Sequence, residues 1–264
     1  MLALCGAVPE AGAHGDLHVR IEALAAEIKK QPQDAQLYLQ RGELHRMHED
    51  WALAEADYAQ AEKLSPGLAA VRLGRSQLLL AQKQFTAARK EVDRFLADHP
   101  GHVAALIVRA QSLAGDKQFL AAAEAWEQVI AKTPKPDVEH YYQRAQALAA
   151  AGPKHTDTAL KTLDAGVAKV GNVPSLGLFA VQLEVGRKQY DAALERLDRA
   201  MPKTGRKETW RELRGDILAS AERKAEAQEE YAKALEELKA SPARARSTKA
   251  GAELEARLRA KARP

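Results

Sequence analysis

Four prolines recur at a fixed distance in the first half of the chain. Pro32, Pro66, Pro100 and Pro134 are each 34 residues apart. Proline lacks the amide hydrogen that a helix interior needs and clashes with the preceding turn, so each position predicts the end of a helix. A repeating stop of this period predicts a tandem array of helical units.

The composition fits such an array better than one large core, because 29% of the residues are charged and only 5% are aromatic. Charge is also unevenly distributed. Residues 243–264 contain seven basic residues against two acidic ones, while the whole chain carries a net charge of +4. The repeat body is therefore close to neutral, and no nucleic-acid-binding surface is expected on it.

Between the first two of these prolines, large and small residues recur at helical spacing on both sides of a break near Glu49 and Asp50. The first segment carries Tyr38, Gly42 and His45, and the second carries Trp51, Ala54, Tyr58 and Ala61. Small residues allow two helices to approach closely, and the large ones fill the space beside them. In the next two units the equivalent residues are Ser76, Leu79, Phe85, Ala88, Val92 and Phe95, then Leu106, Ala110, Leu113, Phe119, Ala122, Trp126 and Val129.

This pattern resembles the tetratricopeptide repeat. The resemblance implies an all-α helical solenoid, in which antiparallel helix pairs form a right-handed superhelix. It predicts about six helix pairs, at residues 34–66, 68–100, 102–134, 137–173, 174–202 and 207–242. A capping helix is expected before them at 16–33, where Leu17, Ile21, Leu24 and Ile28 share one face. A basic tail or a second capping helix is expected at 243–264.

In this family the first helix of each pair lines a concave groove. The groove position one residue beyond the small residue is occupied by Glu43, Gln77, Gln111, Gln146, Gln182 and Asp216. Carboxamides both donate and accept hydrogen bonds, so the row is suited to the backbone of a bound peptide. An apolar row beside it contains Leu39, Leu73, Ile107, Tyr142 and Leu178. Each row also has an alternative explanation. The glutamines would be a soluble surface feature copied when the repeats duplicated, and the apolar row would pack neighbouring units against each other.

An arginine immediately precedes the small residue in five units, at Arg41, Arg75, Arg109, Arg144 and Arg214. A guanidinium row suggests anionic ligands. In this family, however, the position faces the packed side of the first helix. The resemblance therefore favours a packing role, in which the long aliphatic stems of the arginines cover neighbouring helices.

The predicted function is that of a non-catalytic protein-interaction scaffold that binds a partner's peptide or helix in the groove. The sequence lacks a Gly-rich phosphate loop, a nucleophile elbow and a zinc-binding His-Glu helix motif, so neither an enzyme nor a cofactor is predicted. The alternative is an adaptor whose basic C-terminal tail contacts an anionic membrane or nucleic acid. Steep salt dependence of binding would favour the tail.

The N-terminal segment, residues 1–15, contains a short apolar piece followed by the small residues Ala11, Gly12 and Ala13. It is interpreted either as a truncated export signal, which would imply a periplasmic or secreted protein, or as an irregular terminus of a cytoplasmic one. Cleavage after Ala13 would expose His14 and create a weak candidate for copper(II) chelation with His18. Cys5 is the single cysteine, so no disulfide framework is expected. The sequence contains no run of 18 apolar residues, so no membrane span is predicted.

Overall fold

The computed structural model of the chain describes residues 10–201 and 207–262, with side chains described from residue 16 onward except at position 245. These residues form helices joined by short turns, and no β-strand occurs among them. The chain divides into an N-terminal unit, Met1–Pro134, and a C-terminal unit, Lys135–Pro264. The all-α helical-repeat fold predicted from the proline period is confirmed.

The N-terminal unit contains one long helix followed by three helix pairs. Their bounds are α1 Glu10–Lys30, α2 Ala35–Met47, α3 Trp51–Leu64, α4 Ala69–Ala81, α5 Phe85–Asp98, α6 Val103–Gly115 and α7 Phe119–Lys132. Helix α1 begins at Glu10, inside the range 1–15 that the sequence sets apart as a terminal segment. Residues 1–9, including Cys5, lie outside the described residues, as does the side chain of His14.

The C-terminal unit continues with three further pairs and two terminal helices. Their bounds are α8 Val138–Ala150, α9 Thr156–Val170, α10 Pro174–Gly186, α11 Tyr190–Ala200, α12 Glu208–Ser220, α13 Lys224–Ala240, α14 Ala243–Arg246 and α15 Lys249–Lys261. The longer connection between α8 and α9 contains one turn of 3-10 helix, Pro153–His155. Pro202, the last residue of the fifth predicted pair (174–202), lies outside the described residues.

The turns within five pairs share one backbone conformation. A single residue has positive φ at Glu49, Lys83, Lys117, Lys188 and Glu222. The amide of the next residue then donates back to the first helix, as Gln84 N does to the carbonyl of Leu79 at 2.8 Å and Gln118 N to that of Leu113 at 2.8 Å. This arrangement satisfies carbonyls at the end of the first helix and reverses the chain, so the two helices run antiparallel.

The core lies between the two helices of each pair. A small alanine on the second helix is almost fully buried in all six pairs: Ala54, Ala88, Ala122, Ala159, Ala193 and Ala227. The residue one turn later is buried beside it and fills the space: Tyr58, Val92, Trp126, Leu163, Leu197 and Tyr231. These contacts hold the first helix of each pair at a fixed position.

The C-terminal helix α15 packs against α13. Leu254 and Leu258 are buried in the same apolar cluster as Ala234 and Leu238 of α13. A helix with six charged residues among its 13 thus covers the apolar face that the last pair would otherwise expose.

Candidate functional site

The first helices carry the residues predicted for the groove. We call their outward face, on α2, α4 and α6 of the N-terminal unit and α8, α10 and α12 of the C-terminal unit, the first-helix surface. The side chains of Gln111, Gln146 and Gln182 are exposed and that of Gln77 is half-buried. Within the described residues none of these four carboxamides makes a hydrogen bond to the protein. Their donors and acceptors are available to a ligand.

The apolar row lies on the same helices, one turn before the amide row. Leu73, Ile107, Tyr142 and Leu178 are half-buried, whereas Leu39 is buried. Consecutive first helices touch one another, α2 with α4, α4 with α6, and α8 with α10. Across the last contact the rings of Tyr142 and Phe179 lie 5.1 Å apart. The row is therefore partly used in packing between pairs and partly open to solvent.

A pocket of about 360 Å³ lies between α10 and α12. It brings three predicted residues together, Leu178, Gln182 and Asp216. The other lining residues are Val181, Val185, Leu213, Ile217 and Ser220. None of these five residues was predicted from the sequence. Val181, Val185, Leu213 and Ser220 nevertheless lie three or four positions from a predicted residue and so share its helix face. Pockets of this volume and apolar lining accept a ligand's side chain.

In the N-terminal unit a cavity of about 570 Å³ lies between α1 and α2. Leu39 and Glu43 line it together with Leu24, Leu44 and Met47, and with Arg20, Ala23 and Gln40. The predicted residues on α4 and α6 do not contribute to this cavity.

Glu43 differs from the glutamines because it is bound inside the protein. Tyr58 Oη donates to its Oε1 at 2.7 Å, and Arg46 Nη2 and Nε donate to its Oε2 at 2.8 and 3.1 Å. Burial, followed by the negative charge of Glu43, raises the pKa of Tyr58. Glu43 thus links α2 to the second helix of its own pair, and its carboxylate is already ion-paired with Arg46.

Asp216, at the equivalent position on α12 of the C-terminal unit, is bound in the same way. Tyr231, which occupies the position of Tyr58, donates from Oη to Asp216 Oδ1 at 2.8 Å. Lys261 Nζ, from α15, donates to Asp216 Oδ1 and Oδ2 at 2.7 and 2.9 Å. Both carboxylates of the predicted row are therefore engaged internally.

A four-residue ion-pair cluster attaches α15 to α12. Lys261 also donates to Glu212 Oε1 at 3.1 Å, and Arg257 Nε and Nη2 donate to the two oxygens of Glu212 at 3.2 Å. Burial of Glu212 opposes its ionisation, but the hydrogen bonds from Arg257 and Lys261 outweigh burial and lower the pKa of Glu212. A part of the basic C-terminal region is thus neutralised within the protein.

Glu212→Gln is expected to reduce the loss of stability in mild acid. Because the pKa of Glu212 is lowered in the folded state, its contribution is complete above the unfolded value of about 4.3 and is lost as the pH falls through the folded value. The measurement is the free energy of unfolding from urea titrations at pH about 6 and about 3.5. The wild type should lose more stability than the variant between these pH values, and an equal loss in both proteins would contradict the assignment.

Models of known protein families match residues in both units of the chain. A tetratricopeptide repeat profile matches residues 6–69 and 73–136, and a tetratricopeptide repeat-like domain profile matches residues 165–252. The chain belongs to the tetratricopeptide repeat (TPR) family. TPR proteins typically mediate protein–protein interactions and are generally non-catalytic scaffolds. No curated protein sequence matches the chain.

Solved structures of low sequence identity share the TPR fold. YrrB, described as a TPR protein with an unusual peptide-binding site, aligns with a TM-score of 0.58 at 20% identity over 68% of this chain and 91% of YrrB. A TPR protein from Parabacteroides merdae aligns with a TM-score of 0.57 at 16% identity over 93% of both chains. Pseudomonas aeruginosa pilF aligns with a TM-score of 0.55 at 14% identity, over 88% of this chain and 99% of pilF.

The arginines of these TPR units are directed toward carboxylates on second helices. Arg41 pairs with Asp57 of its own unit at 2.6 Å. Arg75 pairs with Glu55 and Glu62 of the preceding unit, both at 3.0 Å. Arg109 pairs with Asp93 at 2.9 Å, and Arg214 pairs with Asp198 at 2.6 Å and more distantly with Glu230 at 3.9 Å. Arg144 is also engaged within the protein. The arginine row links helices and does not form an open anion site.

Within residues 10–201 and 207–262, no group of three or more His, Cys, Asp or Glu side chains is arranged to hold a metal ion. None of the helices in this part of the chain combines the length and apolar character needed to cross a membrane.

Proposed function

We propose that this TPR protein is a non-catalytic scaffold whose first-helix surface binds a peptide segment of a partner protein. The observation that carries the proposal is the row of Gln77, Gln111, Gln146 and Gln182. Each carboxamide lies on a first helix, none is hydrogen-bonded to another described residue, and a half-buried apolar side chain lies one helical turn away. Such a surface offers hydrogen bonds to a ligand's backbone and apolar contacts to its side chains.

The energetics favour positioning by many weak contacts. A single hydrogen bond contributes about 0.5 to 1.5 kcal/mol net. The amide row would therefore align a ligand, while burial of apolar side chains, such as one in the pocket between α10 and α12, would supply most of the affinity. The peptide-binding site named for YrrB supports a similar use of this fold, although the low identity restricts the likeness to the fold.

The alternative adaptor function, through a basic tail, receives less support. Within the described residues, Arg257 pairs with Glu212 and Arg259 pairs with Glu255. Lys261 pairs with both Glu212 and Asp216. Contact with an anionic surface would have to replace these internal ion pairs. Their geometry instead supports a structural role for α15.

The test is a capture experiment with a site-specific photo-crosslinker. Placed at Gln111, the crosslinker is expected to attach to a partner segment, which mass spectrometry then identifies. The same crosslinker at Gln128, an exposed glutamine on the second helix α7, provides the matched control. Attachment of the same partner from both positions, or from position 128 alone, would contradict binding at the first-helix surface.

A four-residue variant provides the quantitative prediction. Replacing Gln77, Gln111, Gln146 and Gln182 by alanine is expected to weaken binding of the identified segment by about tenfold or more, because several hydrogen bonds of about 0.5 to 1.5 kcal/mol are lost. The control replaces Gln60 and Gln128, on second helices, by alanine. Titration calorimetry measures both, and equal affinities for the two variants would count against the amide row.

A further inference from the structure

Among the described residues that line the pocket between α10 and α12, Asp216 alone is charged. The rest of the lining consists of Gln182, Ser220 and five aliphatic side chains. The charge that the pocket presents therefore depends on whether a cation balances the Asp216 carboxylate. A carboxylate without such a partner would attract a basic group of a ligand, whereas a balanced one would not.

The balancing cation comes from the C-terminal helix α15. Lys261 Nζ donates to Asp216 Oδ1 and Oδ2 at 2.7 and 2.9 Å and to Glu212 Oε1 at 3.1 Å. These three acceptor oxygens match the three N–H donors of a lysine ammonium group. All three donors are thus used within the protein, and none is left for an anionic group of a ligand.

Lys261 stays charged and fixed in this position. Burial opposes its charge, but hydrogen bonding to Asp216 and Glu212 outweighs burial and raises the pKa of Lys261. Tyr231 Oη donates to Asp216 Oδ1 at 2.8 Å, and Lys261 Nζ lies 5.4 Å from the centre of the Tyr231 ring. The ring, the carboxylate and the ammonium group therefore hold one another in place beside the pocket.

A charged group that entered this pocket would be disfavoured. An ammonium group would lose hydrating water and meet the positive charge of Lys261, which already holds both oxygens of Asp216. A carboxylate would lose its water too and would approach the carboxylates of Asp216 and Glu212. An uncharged aliphatic group carries neither cost and gains from contact with the five aliphatic lining residues.

We infer that Lys261 makes this pocket selective for an uncharged aliphatic side chain of the partner, and that without Lys261 the pocket would prefer a basic one. The inference rests on the proposed function and names the chemistry of one ligand contact. It gives α15 a second role, because the helix that covers the last pair also determines the charge of the pocket.

The probes are three small molecules that each contain one pentyl chain: pentanol, pentylammonium and hexanoate. They differ in the end group, which is uncharged, positive or negative. Methyl NMR spectra of the full-length protein with isotope-labelled leucine and valine report binding through the signals of Leu178, Val185 and Leu213. Titration of each probe gives its Kd at the pocket, and the same spectra report whether each variant is folded.

The wild type is expected to bind pentanol at least about threefold more tightly than either charged probe. In Lys261→Met, Asp216 keeps its hydrogen bond from Tyr231 but loses its cation. Arg257 still attaches α15 to Glu212. Pentylammonium is then expected to bind at least about fivefold more tightly than to the wild type, with a change of less than about twofold for pentanol. This gain should decrease between about 20 and about 500 mM salt.

Two further variants separate the charge of Lys261 from its other contacts. Lys261→Gln keeps a polar end group but removes the charge, so it should also bind pentylammonium more tightly than the wild type. The double variant Lys261→Met with Asp216→Asn should lose the gain, since it lacks the free carboxylate. A gain that persists in the double variant would show that Asp216 is not its source and would overturn the inference.

Arg257→Met is the matched control, because its hydrogen bonds go to Glu212 and leave the Asp216 carboxylate with Lys261. It should bind the three probes as the wild type does. An equal gain for pentylammonium in Arg257→Met would mean that loosening of α15 changes the pocket, which contradicts the inference. Equal pentylammonium affinities of the wild type and Lys261→Met would also contradict it, as would pocket methyl signals that do not respond to pentanol.

The proposed function is separable from this outcome. If a partner is crosslinked from Gln111 while the probes show no dependence on Lys261, the scaffold function holds and the role of Lys261 is wrong. If the probes show the expected selectivity but no partner attaches at Gln111, the chemistry of the pocket holds and the proposed function is wrong.

Discussion

Replacement of Tyr58 by alanine is expected to destabilise the N-terminal unit by about 4 kcal/mol, as is typical when a buried aromatic ring is removed. The Tyr58 side chain is 0% exposed. An added Cβ would approach its ring to 2.9 Å from Gly42 and to 3.0 Å from Gly74, so the ring fills the space that these glycines leave on two successive first helices. Alanine would leave a cavity between α2, α3 and α4.

Hydrogen exchange of the α2–α4 amides measures the local loss, and the amides of α12 and α13 serve as the internal reference. Tyr58→Phe is the matched control, because it keeps the ring and removes only the hydrogen bond to Glu43. This control is expected to cost about 1 kcal/mol. Tyr58→Ala and Tyr58→Phe of equal stability would show that the ring does not support the two first helices.

The second large effect is expected for Arg41→Met, which is predicted to cost about 3 kcal/mol because it leaves a buried carboxylate without its cation. Arg41 donates to Asp57 from Nε at 2.8 Å and from Nη2 at 2.6 Å, and the side chain of Asp57 is 6% exposed. Hydrogen bonding to Asp57, which outweighs partial burial, raises the pKa of Arg41. Methionine keeps much of the stem but cannot donate these bonds.

Arg223→Met is the control for a solvent-exposed pair, because Arg223 binds Glu226 at the surface. In urea titrations, the free energy of unfolding should fall much more for Arg41→Met than for Arg223→Met. The double variant Arg41→Met with Asp57→Leu should recover part of the loss, since it removes the unpaired carboxylate. No recovery would indicate that the loss arises from packing of the arginine stem.

The repeat fold was predictable from the sequence because its determinants are local. The proline period, the small residue on each first helix and the alanine of each second helix are visible without tertiary information. The start of α1 at Glu10 was not predictable from the sequence. Gly12 and Gly15 lower helix propensity in a segment that is helical in the structure. The family assignment from these repeats is confirmed.

The candidate site was only partly predictable. Helical spacing identifies which residues share the first-helix surface, and it could also have identified Leu213 and Val185 of the pocket. It could not show that Glu43 and Asp216 are already bonded, because their partners Tyr58 and Lys261 are 15 and 45 residues away. Such pairings depend on how the second helices and α15 dock, which sequence spacing alone does not specify.

The arginine pairs also have a consequence for how the repeats can diverge. Equivalent arginines bind acids at different places: Arg41 binds Asp57 in its own repeat, whereas Arg75 binds Glu55 and Glu62, and Arg214 binds Asp198, in the preceding one. A guanidinium has five donors on a long stem, so it can accept an acid at several neighbouring positions. An acid can therefore be lost at one site after another arises nearby, and each repeat can accumulate substitutions on its second helix while its link to the neighbouring helix persists.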